Sequence, residues 1–190
     1  MRLPLIVAHR GSSYSTPENT IPAFQLAFEE QADFIEGDFW LTKDNHIVCI
    51  HDFHTKRVTA QKIKLDVRKT GLDDLKMLDV EYWKNRNLIN SKMPTIEEIF
   101  EIIPEGKGIF IEIKDNREKF VISLSEKIRN GQFSLEKIRI ISFNTGTVKL
   151  VKKYLPEIKV YWLFGWYLLK NYFVRSIVQK KIIETIKNTE

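Results

Sequence analysis

The chain predicts an α/β protein built around a parallel sheet. Short runs rich in Ile, Val and Phe alternate with amphipathic stretches, the pattern of repeated strand–helix units. The runs carry apolar residues at consecutive positions, as strands covered on both faces must. The length agrees: 190 residues, 43% apolar and 29% charged, supply one sizeable core and one domain over residues 1–190, and exclude a disordered or fibrous chain.

The expected strands are residues 5–8, 34–37, 47–50, 108–113, 138–142 and 159–164. Between them lie the helices. One begins near Thr20 with Pro22 in its first turn and an apolar stripe of Phe24, Ala27 and Phe28 at i, i+3, i+4. Another begins at Thr95, where Glu98 three residues on completes a capping-box pattern ahead of Ile99, Ile102 and Ile103. Further helices are expected at residues 72–78, 119–129, 146–154 and 168–187. Residues 52–94 form a long connection whose short helix makes it a structured excursion rather than a bare loop. No internal repeat or low-complexity tract divides the chain.

Composition narrows the function. Cys49 is the only cysteine, so neither an internal disulfide nor a cysteine-rich zinc site can form. The formal charge of +5 suits an anionic small-molecule ligand, and no long basic run calls for nucleic acid. The apolar run at residues 3–8 is too short for an export signal. The apolar stretch at residues 160–178 is broken by Lys170, Asn171 and Arg175, so no transmembrane segment is expected and the location is read as cytoplasmic.

The chemistry sits at the strand ends. Strand one runs into His9-Arg10, strand two into Glu36-Gly37-Asp38, strand three into His51-Asp52 and strand four into Glu112-Ile113-Lys114. In a parallel sheet all strands point one way, so these carboxyl ends gather on one face however distant they are in sequence. Glu36 and Asp38 are two apart on an extended chain and project to the same side, as do Glu112 and Lys114. Three converging carboxylates with no thiolate describe a site for a hard divalent cation, Mg²⁺ or Ca²⁺. Arg10 and Lys114 add the positive charge that holds a phosphate, and His9 and His51 can exchange protons near neutral pH.

With these residues in view, the sequence resembles the glycerophosphodiester phosphodiesterases. The resemblance rests on an ordered set: Ala8-His9-Arg10-Gly11, Pro17-Glu18-Asn19-Thr20, Glu36-Gly37-Asp38, Leu41-Thr42-Lys43-Asp44, His51-Asp52 with Arg57 and Thr59, Met93-Pro94-Thr95-Ile96-Glu97-Glu98, Glu112-Ile113-Lys114 and Ser142-Phe143. It implies a TIM-type (β/α) barrel and metal-dependent cleavage of glycerophosphodiesters to an alcohol and glycerol phosphate. Carried over by position, Glu36, Asp38 and Glu112 are expected as metal ligands, His9 and His51 as acid and base, and Arg10 and Lys114 as substrate contacts. Gly37 departs from the bulky apolar residue usual between the two carboxylates, and a looser strand end is expected there. The same scaffold with an apolar groove would act on lysophospholipids, and a binding module or impaired fragment is the reading from another class.

Other residues have plainer readings. Lys114 has an ion pair to Glu112 or Asp38 as its structural alternative. Asp52 and Asn19 are expected to orient a histidine and a loop, and Glu18 either joins them or charges a helix start. His46 and His54 read as surface residues, Cys49 as a buried thiol, Tyr82 and Trp83 as packing for the excursion, and the aromatic run 161–167 as core. Six strands fall short of the eight that close a barrel of about 250 residues, so an incomplete barrel of about six strands is expected, cut short on its C-terminal side. Open edges of that kind favour self-association.

Overall fold

A computed structural model describes residues 4–59, 62–80, 91–131 and 133–164. Its element order is β1 (Val7–His9), α1 (Ile21–Glu29), β2 (Phe34–Leu41), β3 (Ile47–Cys49), α2 (Leu72–Lys76), α3 (Ile96–Glu101), β4 (Gly108–Ile113), α4 (Glu118–Asn130), β5 (Ile138–Ser142), α5 (Thr145–Tyr154) and β6 (Lys159–Trp162). The sheet runs β1-β2-β4-β5-β6 with every neighbouring pair parallel, and β3 pairs with β2 alone. Among the described residues the barrel is therefore open, with β1 and β6 at its edges. Tyr82, Trp83, residues 165–167 of the aromatic run and the helix expected at 168–187 lie outside the described residues.

The helices start where the sequence supplies caps. Thr20 accepts a hydrogen bond from the Ala23 amide ahead of α1, and Thr95 and Glu98 close a reciprocal capping box at α3. Asn144 caps α5 by accepting from the Thr147 amide. The main core is the layer between sheet and helices, where Ile35, Phe39, Ile109, Ile111, Ile138 and Ile140 meet Phe24, Phe120, Leu124 and Val151. Residues 48–93 carry a second core of Val48, Ile50, Val58, Val67, Leu75, Leu78, Val80 and Met93. The described residues of the excursion, 52–59, 62–80 and 91–94, thus carry a core of their own and a short helix, as the sequence indicated. None of the described helices is long and apolar enough to cross a membrane.

One expectation is corrected. The third strand does not point the same way as the others: β3 runs antiparallel to β2, with Leu41 opposite Ile47 and Phe39 opposite Cys49. The Thr42 amide donates to the His46 carbonyl at 2.8 Å, leaving the three-residue loop 43–45. Asn45 closes it in the left-handed region at φ 66°, the usual geometry of a three-residue hairpin. Too few residues remain for a crossover to a parallel neighbour. Polar Lys43-Asp44-Asn45 between two apolar runs was the available signal.

Candidate active site

β2 is the axis of the site. It extends to Leu41, so Glu36 and Asp38 lie inside the strand and not at its end. Parallel register sets His9 beside Glu36, and Asp38 beside Glu112. The hairpin then carries His51 back to the same level, because the Ile50 amide donates to the Asp38 carbonyl at 2.8 Å. All seven site candidates named above converge on one end of β1, β2 and β4 and the segment after β3.

Ligand oxygens of Glu36, Asp38 and Glu112 lie within 4.8 Å of one another, and all three side chains are buried. Three oxygens there, Glu36 Oε1, Asp38 Oδ1 and Glu112 Oε1, are sealed from solvent and accept no hydrogen bond. Lys114 Nζ lies 3.1 Å from Asp38 Oδ1 and 2.6 Å from Glu112 Oε1, though poorly aligned for hydrogen bonding. Both ion pairs offered as the plainer reading of Lys114 are therefore present. Glu36 Oε1 has no cation against it among the described residues. A buried acceptor left so costs about 1–3 kcal/mol, and Glu36 Oε1 together with the two oxygens that face only Lys114 fits a hard divalent cation.

The electrostatics divide the three carboxyls. Burial above all, and then the Asp38 charge, push Glu36 up to about 8. Burial likewise raises Glu112 against the opposing pull of Lys114. Burial works to raise Asp38 as well, but Lys114, Asn19 and Arg10 outweigh it and hold Asp38 below the ordinary carboxylate range. Burial opposes the charge on Lys114, yet Asp38 and Glu112 keep its ammonium above its usual value.

These groups belong to a chain of alternating charge. His51 Nδ1 lies 2.8 Å from Asp52 Oδ1, and Arg57 Nε donates to Asp52 Oδ2 at 2.9 Å. Arg57 Nη2 and Arg10 Nη1 both donate to Glu18 Oε1, at 2.8 and 3.0 Å. Arg10 Nε then faces Asp38 Oδ2 at 3.1 Å, and Asp38 leads through Lys114 to Glu112. From Asp52 to Glu112 seven side chains alternate acidic and basic, and the His51 ring adjoins the Asp52 end.

The turn after β1 is built for this. Arg10 and Asn19 both adopt φ 58°, rare for residues with a Cβ. The strained pair is tied together, the Asn19 amide donating to the Arg10 carbonyl at 3.1 Å. In this pose the Arg10 amide donates to Glu36 Oε2 at 3.1 Å, and Asn19 Nδ2 donates to Asp38 Oδ2 at 2.9 Å. Gly11 follows at φ 78°, where a Cβ would lie 2.6 Å from the Ala23 backbone, so α1 can approach only a glycine.

Several readings are refined. Asn19 holds Asp38 itself, while Asp52 orients His51 as expected. Of the two readings of Glu18, its bonds to Arg10 and Arg57 favour the one that joins it to Asp52 and Asn19, whereas Arg57 was given no role, its signal being only membership in the motif around His51. The strand end at Gly37 is not loose. A Cβ there would meet Cys49 Sγ at 2.9 Å, Phe39 at 3.2 Å and Phe24 at 3.3 Å, so neighbouring side chains already fill the space. Cys49 is a buried thiol whose Sγ donates to Asn19 Oδ1 at 3.2 Å, and burial pushes its pKa well up, with Asp38 adding to the effect. His46 and His54 are half-buried rather than surface residues, and the His54 ring packs edge-on against Phe53 with centroids 4.9 Å apart.

The comparisons with known proteins agree with this geometry. Residues 9–179 match the model of the Glycerophosphoryl diester phosphodiesterase family. A glycerophosphodiester phosphodiesterase of Caldanaerobacter subterraneus subsp. tengcongensis is 37% identical over 164 residues, covering 82% of this chain and 65% of that protein. A phosphodiesterase of Oleispira antarctica, solved with the product sn-glycerol-3-phosphate, superposes with a TM-score of 0.76 at 30% identity, covering 83% of this chain and 65% of the other. A glycerophosphodiester phosphodiesterase structure from Thermotoga maritima superposes with a TM-score of 0.69 at 26% identity, covering 95% of this chain and 72% of that one. The chain thus spans somewhat under two thirds of the Caldanaerobacter and Oleispira relatives. Fold, ordered motifs and matched length together show that this chain belongs to the glycerophosphoryl diester phosphodiesterase family.

Proposed function

We propose that the chain hydrolyses small glycerophosphodiesters to an alcohol and glycerol phosphate. The observation that supports this most is the pocket of three buried carboxylates, each with one oxygen that accepts no hydrogen bond, set between two imidazoles and two cationic side chains. In this reading Glu36, Asp38 and Glu112 hold one divalent cation, Mg²⁺ or Ca²⁺. When bound, such a cation supplies Lewis-acid polarisation of a phosphate oxygen and neutralises charge there.

The protein's own groups supply the rest. Arg10 and Lys114 bind the remaining phosphate oxygens and stabilise the charge that builds on them during displacement. His9 acts as base, taking the proton from the attacking water, or from the adjacent glycerol hydroxyl to give a cyclic phosphate that water then opens, and His51 acts as acid, giving a proton to the departing alcohol oxygen. Protein packed behind the His9 ring strips part of its hydration and Arg10 adds positive charge, so its pKa is lowered and the neutral, proton-accepting form is favoured. His51 presents Nδ1 to Asp52, which leaves Nε2 for the leaving group.

The test is release of glycerol phosphate from glycerophosphocholine, with and without a chelator. Loss of release in chelator supports the reading, and metal-independent turnover overturns the role of the three carboxylates. Faster turnover of a lysophospholipid than of glycerophosphocholine would replace the substrate class. The β1 edge, where Leu5, Ile6 and Val7 are exposed, also favours pairing with a second chain. Sedimentation over a concentration series checks it, and a monomer throughout would exclude it.

A further inference from the structure

Glu18 makes no hydrogen bond or ion pair to the three clustered carboxylates or to either imidazole among the described residues, yet Arg10, which faces Asp38, and Arg57, which holds Asp52 beside His51, both end on it. Its Oε1 accepts from Arg10 at 3.0 Å and from Arg57 at 2.8 Å. Arg57 is a rigid planar fork, so fixing Nη2 on Glu18 also fixes the direction of Nε, which donates to Asp52 Oδ2 at 2.9 Å. The Asp52 carboxylate is then held through both oxygens, Oδ2 by Arg57 and Oδ1 by His51 Nδ1. A carboxylate held at both ends dictates which imidazole nitrogen carries the proton.

We propose that Glu18 is a positioning residue that locks His51 through Arg57 and Asp52 while holding Arg10 directly, so that the proton donor and the phosphate contact form one rigid unit. This rests on the reading above for its meaning in catalysis. A merely structural ion pair would account for the distances. It would not account for one oxygen serving two arginines whose Nε atoms each go on to a different carboxylate of the site, Asp38 for Arg10 and Asp52 for Arg57. The electrostatics agree. Burial works to raise Glu18, but Arg57 and Arg10 outweigh it and keep the carboxyl below its usual value.

The test uses the full chain with Glu18→Ala and Glu18→Gln, which keeps an acceptor oxygen in place. Turnover of glycerophosphocholine should fall about 10- to 100-fold in Glu18→Ala, the scale for losing a group that orients a ligand or catalyst, and recover to within about fivefold in Glu18→Gln. The decisive readout is the ¹⁵N signals of the His51 ring at about pH 8.5, assigned by His51→Ala. A single tautomer protonated on Nδ1 is expected in the unaltered chain, and a mixture in Glu18→Ala. An unchanged His51 tautomer in folded Glu18→Ala overturns the proposal, whatever happens to thermal stability. Should that variant not fold, Arg57→Lys, which keeps the charge but not the fork, takes its place: a tautomer mixture supports the proposal and a single Nδ1 tautomer overturns it. No hydrolysis by the unaltered chain would refute the functional reading, while the ring signals would still decide the role of Glu18.

Discussion

His9 and His51 flank the same carboxylates and are held in opposite ways. His9 stands on β1, an edge strand among the described residues, with its side chain 69% exposed, and its nearest acidic atom there is Glu36 Oε2 at 3.9 Å. His51 comes in on the hairpin return, 35% exposed, with Nδ1 on Asp52 and its own carbonyl accepting from Trp40 Nε1 at 3.2 Å. The carboxyls beside them repeat the contrast. Glu36, on the His9 side, is pushed up to about 8, whereas Asp38, tied to Arg10, Lys114 and Asn19, is held down. One side of the site is placed by backbone register and a single amide bond to Glu36, the other by a side-chain network. Register puts a group at the right height, and only a network fixes its orientation and its charge.

The largest test of that contrast is removal of each imidazole. His51→Ala and His9→Ala should each lower turnover by about 10²–10⁴-fold. Imidazole added to the buffer should restore His9→Ala more than His51→Ala, because the His9 position opens more widely to solvent. Equal rescue in steady-state assays would erase the difference between the two sides.

Next comes the cation. Glu36 must lose its proton to bind one, and its pKa near 8 means that the metal displaces that proton at lower pH. Affinity for Mg²⁺ or Ca²⁺ should therefore fall about tenfold per unit below pH 8, near 100-fold by pH 6. Calorimetry in two buffers of different ionisation heat counts the released proton. The metal-free stability has the opposite sense: a carboxyl raised in the folded state contributes most below its ordinary value of 4.5, and that contribution is lost as pH rises through 8. Glu36→Gln should flatten both trends.

Gly37→Ala should cost about 1–3 kcal/mol in denaturant unfolding, since its Cβ would overpack a filled space. Pairing it with Cys49→Ala, which removes the atom at 2.9 Å, should recover most of the loss. If the single variant is neutral, the strand between the two carboxylates is looser than its packing implies. The smallest effect belongs to the open edge. Val7→Lys should change stability by no more than about 0.5 kcal/mol while reducing self-association at high concentration, as charge on an edge strand does.

Legibility in the sequence followed the range of the interactions. β4 and β5 fall on the residues expected, 108–113 and 138–142, because a continuous apolar run between polar flanks is local information. The Thr95–Glu98 capping box was legible for the same reason. The convergence of His9, Arg10, Glu36, Asp38, His51, Glu112 and Lys114 was legible from titratable groups closing apolar runs, although Glu36 and Asp38 lie inside β2 and His51 arrives on an antiparallel return. The direction of β3 was not, since an apolar run says nothing of its neighbour, and only Asp44-Asn45 marked the turn. Glu18 and Arg57 were hidden more deeply. They meet across 39 positions of sequence, and no periodicity links a turn residue to a residue in a distant loop. The left-handed Arg10 is similar, because its conformation is imposed by the contacts it makes and not by its residue type.

The hairpin of β2 and β3 also acts as a ruler. Strand residues advance about 3.4 Å each, so the distance from Asp38 out to Leu41, around the loop 43–45 and back from Ile47 determines the depth at which His51 is delivered. A one-residue slip of β3 against β2 would reverse which face each returning side chain meets, and a two-residue slip would move His51 by a whole pair of residues toward or away from the carboxylates. Variation in length among such chains should therefore collect in the excursion after His51, which carries its own core, and spare the few residues between Asp38 and His51, where counting is part of the chemistry.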